Sequence, residues 1–201
     1  AAWQDALVRH GDYLVRLMSH ASPYGMMPAG LYRMEERDDR ESFERQHLQA
    51  GDEAYSNYAE QLRAGEDVGD GYYLRHFPAW FSFRGNNAVL LSMGKAAAVC
   101  GRVLGDKRLV HAAERQLQWN LGVNPFRQSL MYGEGMRYAQ QYSAMSGEMV
   151  GELPVGVQTQ ENGDAPYWPQ MNNATYKEVW TTPAGRWLSV LAELMLEEQE
   201  S

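Results

Sequence analysis

The sequence predicts an all-α fold: helix hairpins set as a barrel, with long aromatic loops at one end. Three observations predict it. Apolar residues recur at helical spacing in residues 3–20, 88–104, 107–120 and 183–197. The second and third of these stretches are joined by the tight Gly105-Asp106 turn, which suits an antiparallel hairpin. The intervals between helical stretches are long, aperiodic and rich in Gly, Pro and aromatic residues.

The first stretch, residues 3–20, places Leu7, Leu14, Leu17 and Met18 close to one face, with Arg9, Asp12 and Arg16 elsewhere. It stops at Ser22-Pro23-Tyr24-Gly25, and the prolines and glycines of residues 22–34 exclude a helix there. Residues 35–70 are strongly polar. A helix over 42–62 would have a thin apolar face, so this part reads as a surface segment. Residues 71–86 hold the densest aromatic run of the chain, and Asn86 or Asn87 is placed to cap the helix that follows. That helix, 88–104, is apolar around most of its circumference and is expected to be buried on several sides. In the next one Leu109, Ala113, Leu117 and Leu121 repeat at spacing four, and Gly122, Asn124 and Pro125 stop it. Residues 122–176 lack periodicity, yet their Tyr, Trp, Met and Val content argues for an ordered functional loop. Thr182-Pro183 reads as an N-cap and first helical residue, opening a last helix with Trp187, Leu188, Leu191, Leu194 and Met195 on its apolar side.

Composition narrows the function classes. The 201 residues carry a net charge of −8, with 18 Lys+Arg against 26 Asp+Glu and no basic cluster. A duplex-binding protein must replace counterions on phosphates, so nucleic acid is not an expected partner, and neither is an anionic membrane. No uninterrupted run of 18 apolar residues suggests a membrane span. The single cysteine, Cys100, lies in an apolar run and reads as a buried small hydrophobe. His10, His20, His47, His76 and His111 show no metal-ligand spacing, so no metal or other cofactor is expected. The 6 Trp, 12 Tyr and 5 Phe fall largely in loops, where aromatics often form recognition surfaces. The chain begins directly in helical pattern, which suggests the C-terminal portion of something longer, with one flank of its core left for a missing part to cover.

Several motifs carry a resemblance. Arg84-Gly85-Asn86-Asn87 precedes an apolar helix. The next helix ends in Leu121-Gly122-Val123-Asn124-Pro125, followed by Ser129 and Gly133-Glu134-Gly135, and Tyr176-Lys177-Glu178-Val179 precedes the final helix. This arrangement resembles glycoside hydrolase family nine, over residues 80–196 and more faintly over the first helix and its loop. The resemblance implies an (α/α)6 barrel and inverting hydrolysis of a glycosidic bond in an oligo- or polysaccharide. It also implies a secreted or periplasmic setting, with the preceding part of the same enzyme as partner. It makes Glu178 the general acid. Two features depart from the family pattern. The tract after the Gly-x-Gly turn, Met136 to Ser146, has no histidine where typical members carry His-His-Arg, and the family's Asp-rich signature for the general base has no counterpart.

Glycoside hydrolysis generally uses two carboxyl groups, held roughly 6.5–9.5 Å apart in inverting enzymes. One of them stays protonated in a desolvated setting. Tyr176, Trp180, Tyr167 and Trp168 give Glu178 apolar neighbours in sequence. On composition alone, a Glu here equally suits a helix N-terminus. Trp80, Tyr132, Tyr167 and Trp168 are candidates for stacking on sugar rings, or equally for loop core, and Arg84 and Arg137 for hydrogen bonds to hydroxyls, or equally for structural ion pairs. Glu148, Glu152, Glu161 and Asp164 are alternative second carboxylates. Two other readings stay open: a non-catalytic carbohydrate-binding or structural domain, and a lyase working through Tyr and Arg.

Overall fold

The computed structural model describes residues 2–47, 51–78, 85–142, 147, 149–159 and 163–200. Its element order is α1 (Ala2–Ser19), β1 (Gly30–Arg33), α2 (Met34–Arg37), α3 (Arg40–Gln46), α4 (Asp52–Arg63), β2 (Glu66–Gly69), β3 (Tyr72–Arg75), α5 (Asn87–Leu104), α6 (Lys107–Asn120), β4 (Gln158–Thr159), β5 (Pro166–Tyr167), α7 (Ala174–Lys177) and α8 (Thr181–Glu200).

The helical core follows the apolar spacing. α5 buries Leu90, Leu91, Gly94, Ala97, Ala98 and Gly101, and packs against α1, α6 and α8. Its mean hydropathy of 1.2 over 18 residues would suit a membrane span. In this fold that apolar surface faces the three neighbouring helices. Gly101 sits where a β-carbon would press on the Val110 backbone nitrogen at 2.8 Å, so the α5–α6 approach depends on its missing side chain. Gly105, at φ 66°, ends α5 in the left-handed region. Apolar side chains on the outer faces, among them Trp3, Val103, Leu188 and Met195, remain exposed.

The Asp106 side chain caps α6 by accepting from the Arg108 N–H at 3.0 Å. Arg108 also grips this carboxylate and holds it below the usual carboxylate pKa range. Asp106→Ala should cost about 1 kcal/mol, lowering Tm by about 2–4 °C. A thermal melt checks it, and an unchanged Tm would show that the cap contributes nothing.

The expectation of a purely helical barrel is corrected. The described chain is 52% helical with 11% in strands, which form two small antiparallel sheets, so the fold is mixed α/β. The larger sheet has the order β1-β3-β2, with Leu31 opposite Leu74 and Glu66 also opposite Leu74. Asp70-Gly71 makes the hairpin turn, at φ 53° and 76°, the positive pair that a two-residue I′ connection requires. The smaller sheet pairs Gln158 with Tyr167. The polar segment over 42–62 is two helices, α3 and α4, rather than one. α4 buries Tyr58, Ala59 and Leu62, and Tyr58 and Leu62 form a second cluster with Tyr32 of β1 and Phe43 of α3.

Tyr32 anchors that second cluster. It is 3% exposed, and its hydroxyl donates to the Leu62 carbonyl. Burial pushes its phenol from 10.0 up to about 12, against a smaller lowering by the Arg75 charge. The unfolded chain therefore releases this proton at a pH where the folded chain keeps it, and stability falls as pH rises from 10 towards 12. The slope from this group should approach about 1.4 kcal/mol per pH unit. Urea midpoints between pH 9 and 11.5 should fall more steeply in wild type than in Tyr32→Phe. Parallel curves would remove Tyr32 as the cause.

Candidate functional site

The site is built on residues 153–157, Leu-Pro-Val-Gly-Val, all buried. On one side lies the start of α5. The Asn87 side chain donates to the Pro154 carbonyl at 3.1 Å, and its backbone N–H to Val155 O at 2.9 Å. The backbone N–H and the side-chain amide of Asn86 both reach Val157 O, at 2.8 and 3.1 Å. The expectation that Asn86 or Asn87 caps α5 is therefore corrected: Asn86 is the N-cap residue by position but its side chain makes no capping bond, and both amides are used to hold this segment. On the other side lies the chain leaving α7. Val155 N–H donates to Glu178 O at 2.9 Å and Gly156 N–H to Tyr176 O at 2.8 Å. Tyr142 approaches from the far edge, its N–H donating to Lys177 O at 2.8 Å and its backbone bridging to Glu178 in parallel.

Glu178 thus sits between two extended neighbours, its backbone fixed and its side chain half-buried. Residues 178 and 180 share a face of this extended piece. The Trp180 indole N–H donates to Glu178 Oε2 at 3.0 Å. Trp180 is 41% exposed and Tyr142 is 39% exposed, so the carboxylate lies in a partly open aromatic surface.

The neighbouring Lys177 points the other way. It is 3% exposed, donates from Nζ to Gln170 O at 3.0 Å and stands 5.1 Å over the Trp168 ring. Burial pulls its ammonium below the usual lysine range. Trp168 is itself buried, and its indole N–H donates to Gln128 Oε1 at 3.0 Å. As a stacking surface for a sugar ring Trp168 is therefore not available, and it walls the core instead. Tyr167 is half-buried on β5, edge-on to Tyr176 at 5.5 Å. Tyr132 is half-buried and edge-on to the exposed Tyr138 at 5.1 Å, with its backbone paired to Gly151 and Glu152. Arg137 is exposed at φ 49° and pairs with no carboxylate among the described residues. Trp80 and Arg84 lie outside the described residues.

The alternative second carboxylates separate clearly. Glu148 and Glu161 lie outside the described residues. Asp164 clamps the end of β3: it accepts from the His76 and Phe77 N–H groups at 2.7 and 3.0 Å, faces His76 Nδ1 at 3.1 Å and approaches Arg75 Nε at 3.6 Å. A carboxylate so engaged is structural. Glu152 differs: its Oε2 is buried with no hydrogen-bond partner among the described residues. No cluster of three metal-ligating side chains occurs among the described residues.

Sequence reasoning treated Trp180 only as an apolar neighbour of Glu178, although the Glu-Val-Trp alternation was a signal for a shared face. Tyr142 carried no local signal, because only the non-local Tyr142–Glu178 bridge brings it there. No family model, no curated protein and no solved structure matches the chain.

Proposed function

We propose that this chain supplies the proton-donor side of a glycosidase cleft, with Glu178 as general acid. The observation that supports it most is the Glu178 carboxyl group held by the Trp180 indole in a partly exposed aromatic surface shared with Tyr142. Aromatic faces suit the C–H faces of sugar rings, and a carboxyl group beside them would be within reach of a glycosidic oxygen on a ring stacked there. The motif resemblance to glycoside hydrolase family nine gives Glu178 the same role. In the reaction Glu178 gives its proton to the leaving oxygen as the glycosidic bond breaks. A second carboxyl group, expected from the preceding part of the enzyme, takes a proton from the attacking water.

The second reading is carbohydrate binding without catalysis. One observation favours it: of the alternative carboxylates, Asp164 is committed to a structural clamp. The experiment is release of reducing ends from a panel of oligosaccharides by the complete enzyme, with wild-type Glu178 and with Glu178→Gln. Release that depends on Glu178 supports the hydrolase. Binding without release supports the second reading.

A further inference from the structure

A cavity of about 520 Å³ opens at the C-terminal end of α6, away from the residues of the Glu178 surface. Its wall is made by Tyr24, Val123, Pro125 and Met136, and its charged residues are Arg115 and Arg127. Neither arginine pairs with a carboxylate among the described residues, and none of the lining residues is acidic. In a chain of net charge −8, a concave site whose only charges are two guanidinium groups without a carboxylate partner is electrostatically suited to an anion.

The site is also rigid. The Trp119 indole N–H donates to Tyr24 O at 2.9 Å, which ties one wall to α6. The Asn124 side chain holds the turn below Arg127: its amide donates to Trp119 O and Gln128 O at 2.7 and 2.8 Å, and its oxygen accepts from Phe126 N–H at 3.1 Å. Arg127 itself sits at φ 52°, a conformation uncommon for a residue with a β-carbon. The turn thus presents this guanidinium from a fixed backbone instead of a mobile loop, and pre-organisation lowers the cost of binding.

We infer that this cavity binds an oxyanion carried on a sugar ring, with the anion at Arg115 and Arg127 and the ring against Tyr24 and the apolar wall. The sugar as carrier rests on the glycosidase reading; the anion does not. Met136 lines the cavity and Tyr142 adjoins Glu178. Six Cα-to-Cα steps separate them, so the two Cα atoms lie at most about 22 Å apart. An acidic residue of a bound saccharide can therefore occupy the cavity while a more distant linkage lies at Glu178.

The test is titration calorimetry of the chain with four probes: glucuronate, glucose 6-phosphate, glucose and inorganic phosphate. The expected result is saturable binding of at least one acidic sugar, with glucose and inorganic phosphate both weaker. Arg115→Gln, on an exposed helix position, and Arg127→Asn, which tolerates the left-handed backbone, should each weaken that binding by about tenfold or more. Thermal melts confirm that each variant is folded. Absence of acidic-sugar binding, equal binding of glucose or of inorganic phosphate, or unchanged affinity in both variants would overturn the proposal. Glu178→Gln should leave this binding intact, so loss of hydrolysis and loss of anion binding are read separately.

Discussion

On the proposed glycosidase reading, Glu178→Gln should lower hydrolysis of an unactivated glycoside by about 10²–10⁴-fold, the usual contribution of a general acid. Glutamine keeps the size of the side chain and its amide oxygen can still accept from the Trp180 indole N–H, as Oε2 does at 3.0 Å. The backbone on both sides, paired to Val155 and Tyr142, does not depend on the side chain. What disappears is the proton. A substrate with a strongly acidic leaving group needs little protonation, so its rate should fall much less. Misfolding would depress both substrates alike, and the difference between the two rates isolates the chemistry. Kinetics on both substrates, with a melting curve for each protein, decides the matter. Full activity of the variant on the unactivated substrate would sink the general-acid role.

Gly156→Ala should be the most damaging small substitution in the chain. Gly156 sits at φ 96°, where an L side chain is strained. A β-carbon there would overlap the Asn87 side-chain amide, which holds Pro154, and Gly85 packs against the Gly156 backbone. Neither neighbour is a flexible side-chain end, so the turn itself must move. The expected loss is about 3–5 kcal/mol, above the usual ~0.5–3 kcal/mol of a point substitution because backbone strain and steric overlap add, or roughly 6–20 °C in Tm for a domain of this size. Gly151→Ala is the control. It shares the unfavourable φ, at 92°, but has open space at the β-carbon. Its loss should be about 1 kcal/mol. Equal melting of the two variants would mean that the close approach to Asn87 carries no weight.

The helical part of the fold was legible because it is local. Periodicity in α1, α5, α6 and α8 and the left-handed Gly105 turn are written in neighbouring residues. The three-stranded sheet was not, for identifiable reasons. β1 lies inside a segment that Pro and Gly mark as loop, and its partner β3 is remote in sequence. β2 is exposed along its whole length and so shows no alternation. The Asp70-Gly71 hairpin signal was present but lay between segments read as polar surface and aromatic loop. At the candidate site, Glu178 was singled out by motif order alone. Trp168 stayed open between sugar stacking and loop core because sequence cannot say which face of an aromatic loop is covered; in the fold it is 4% exposed. The structural use of Asn86 and Asn87 was hidden too, since a capping asparagine and one that clamps a distant strand look alike in sequence.

The packing of α5 has a consequence for how the chain is made. Two of its neighbours arrive late: residues 153–157, which lock its start, and α8, whose buried Val190 faces the Gly94 position, both follow the hairpin in sequence. At about 5–20 residues per second, the interval between completing α5 and producing Val190 is about 4–17 s. During that time α5 can pack against α1 and α6 but not yet against α8. Until α8 follows, the face of α5 that packs against it stays uncovered, and such transiently exposed apolar surface is where an unfinished chain is prone to aggregate.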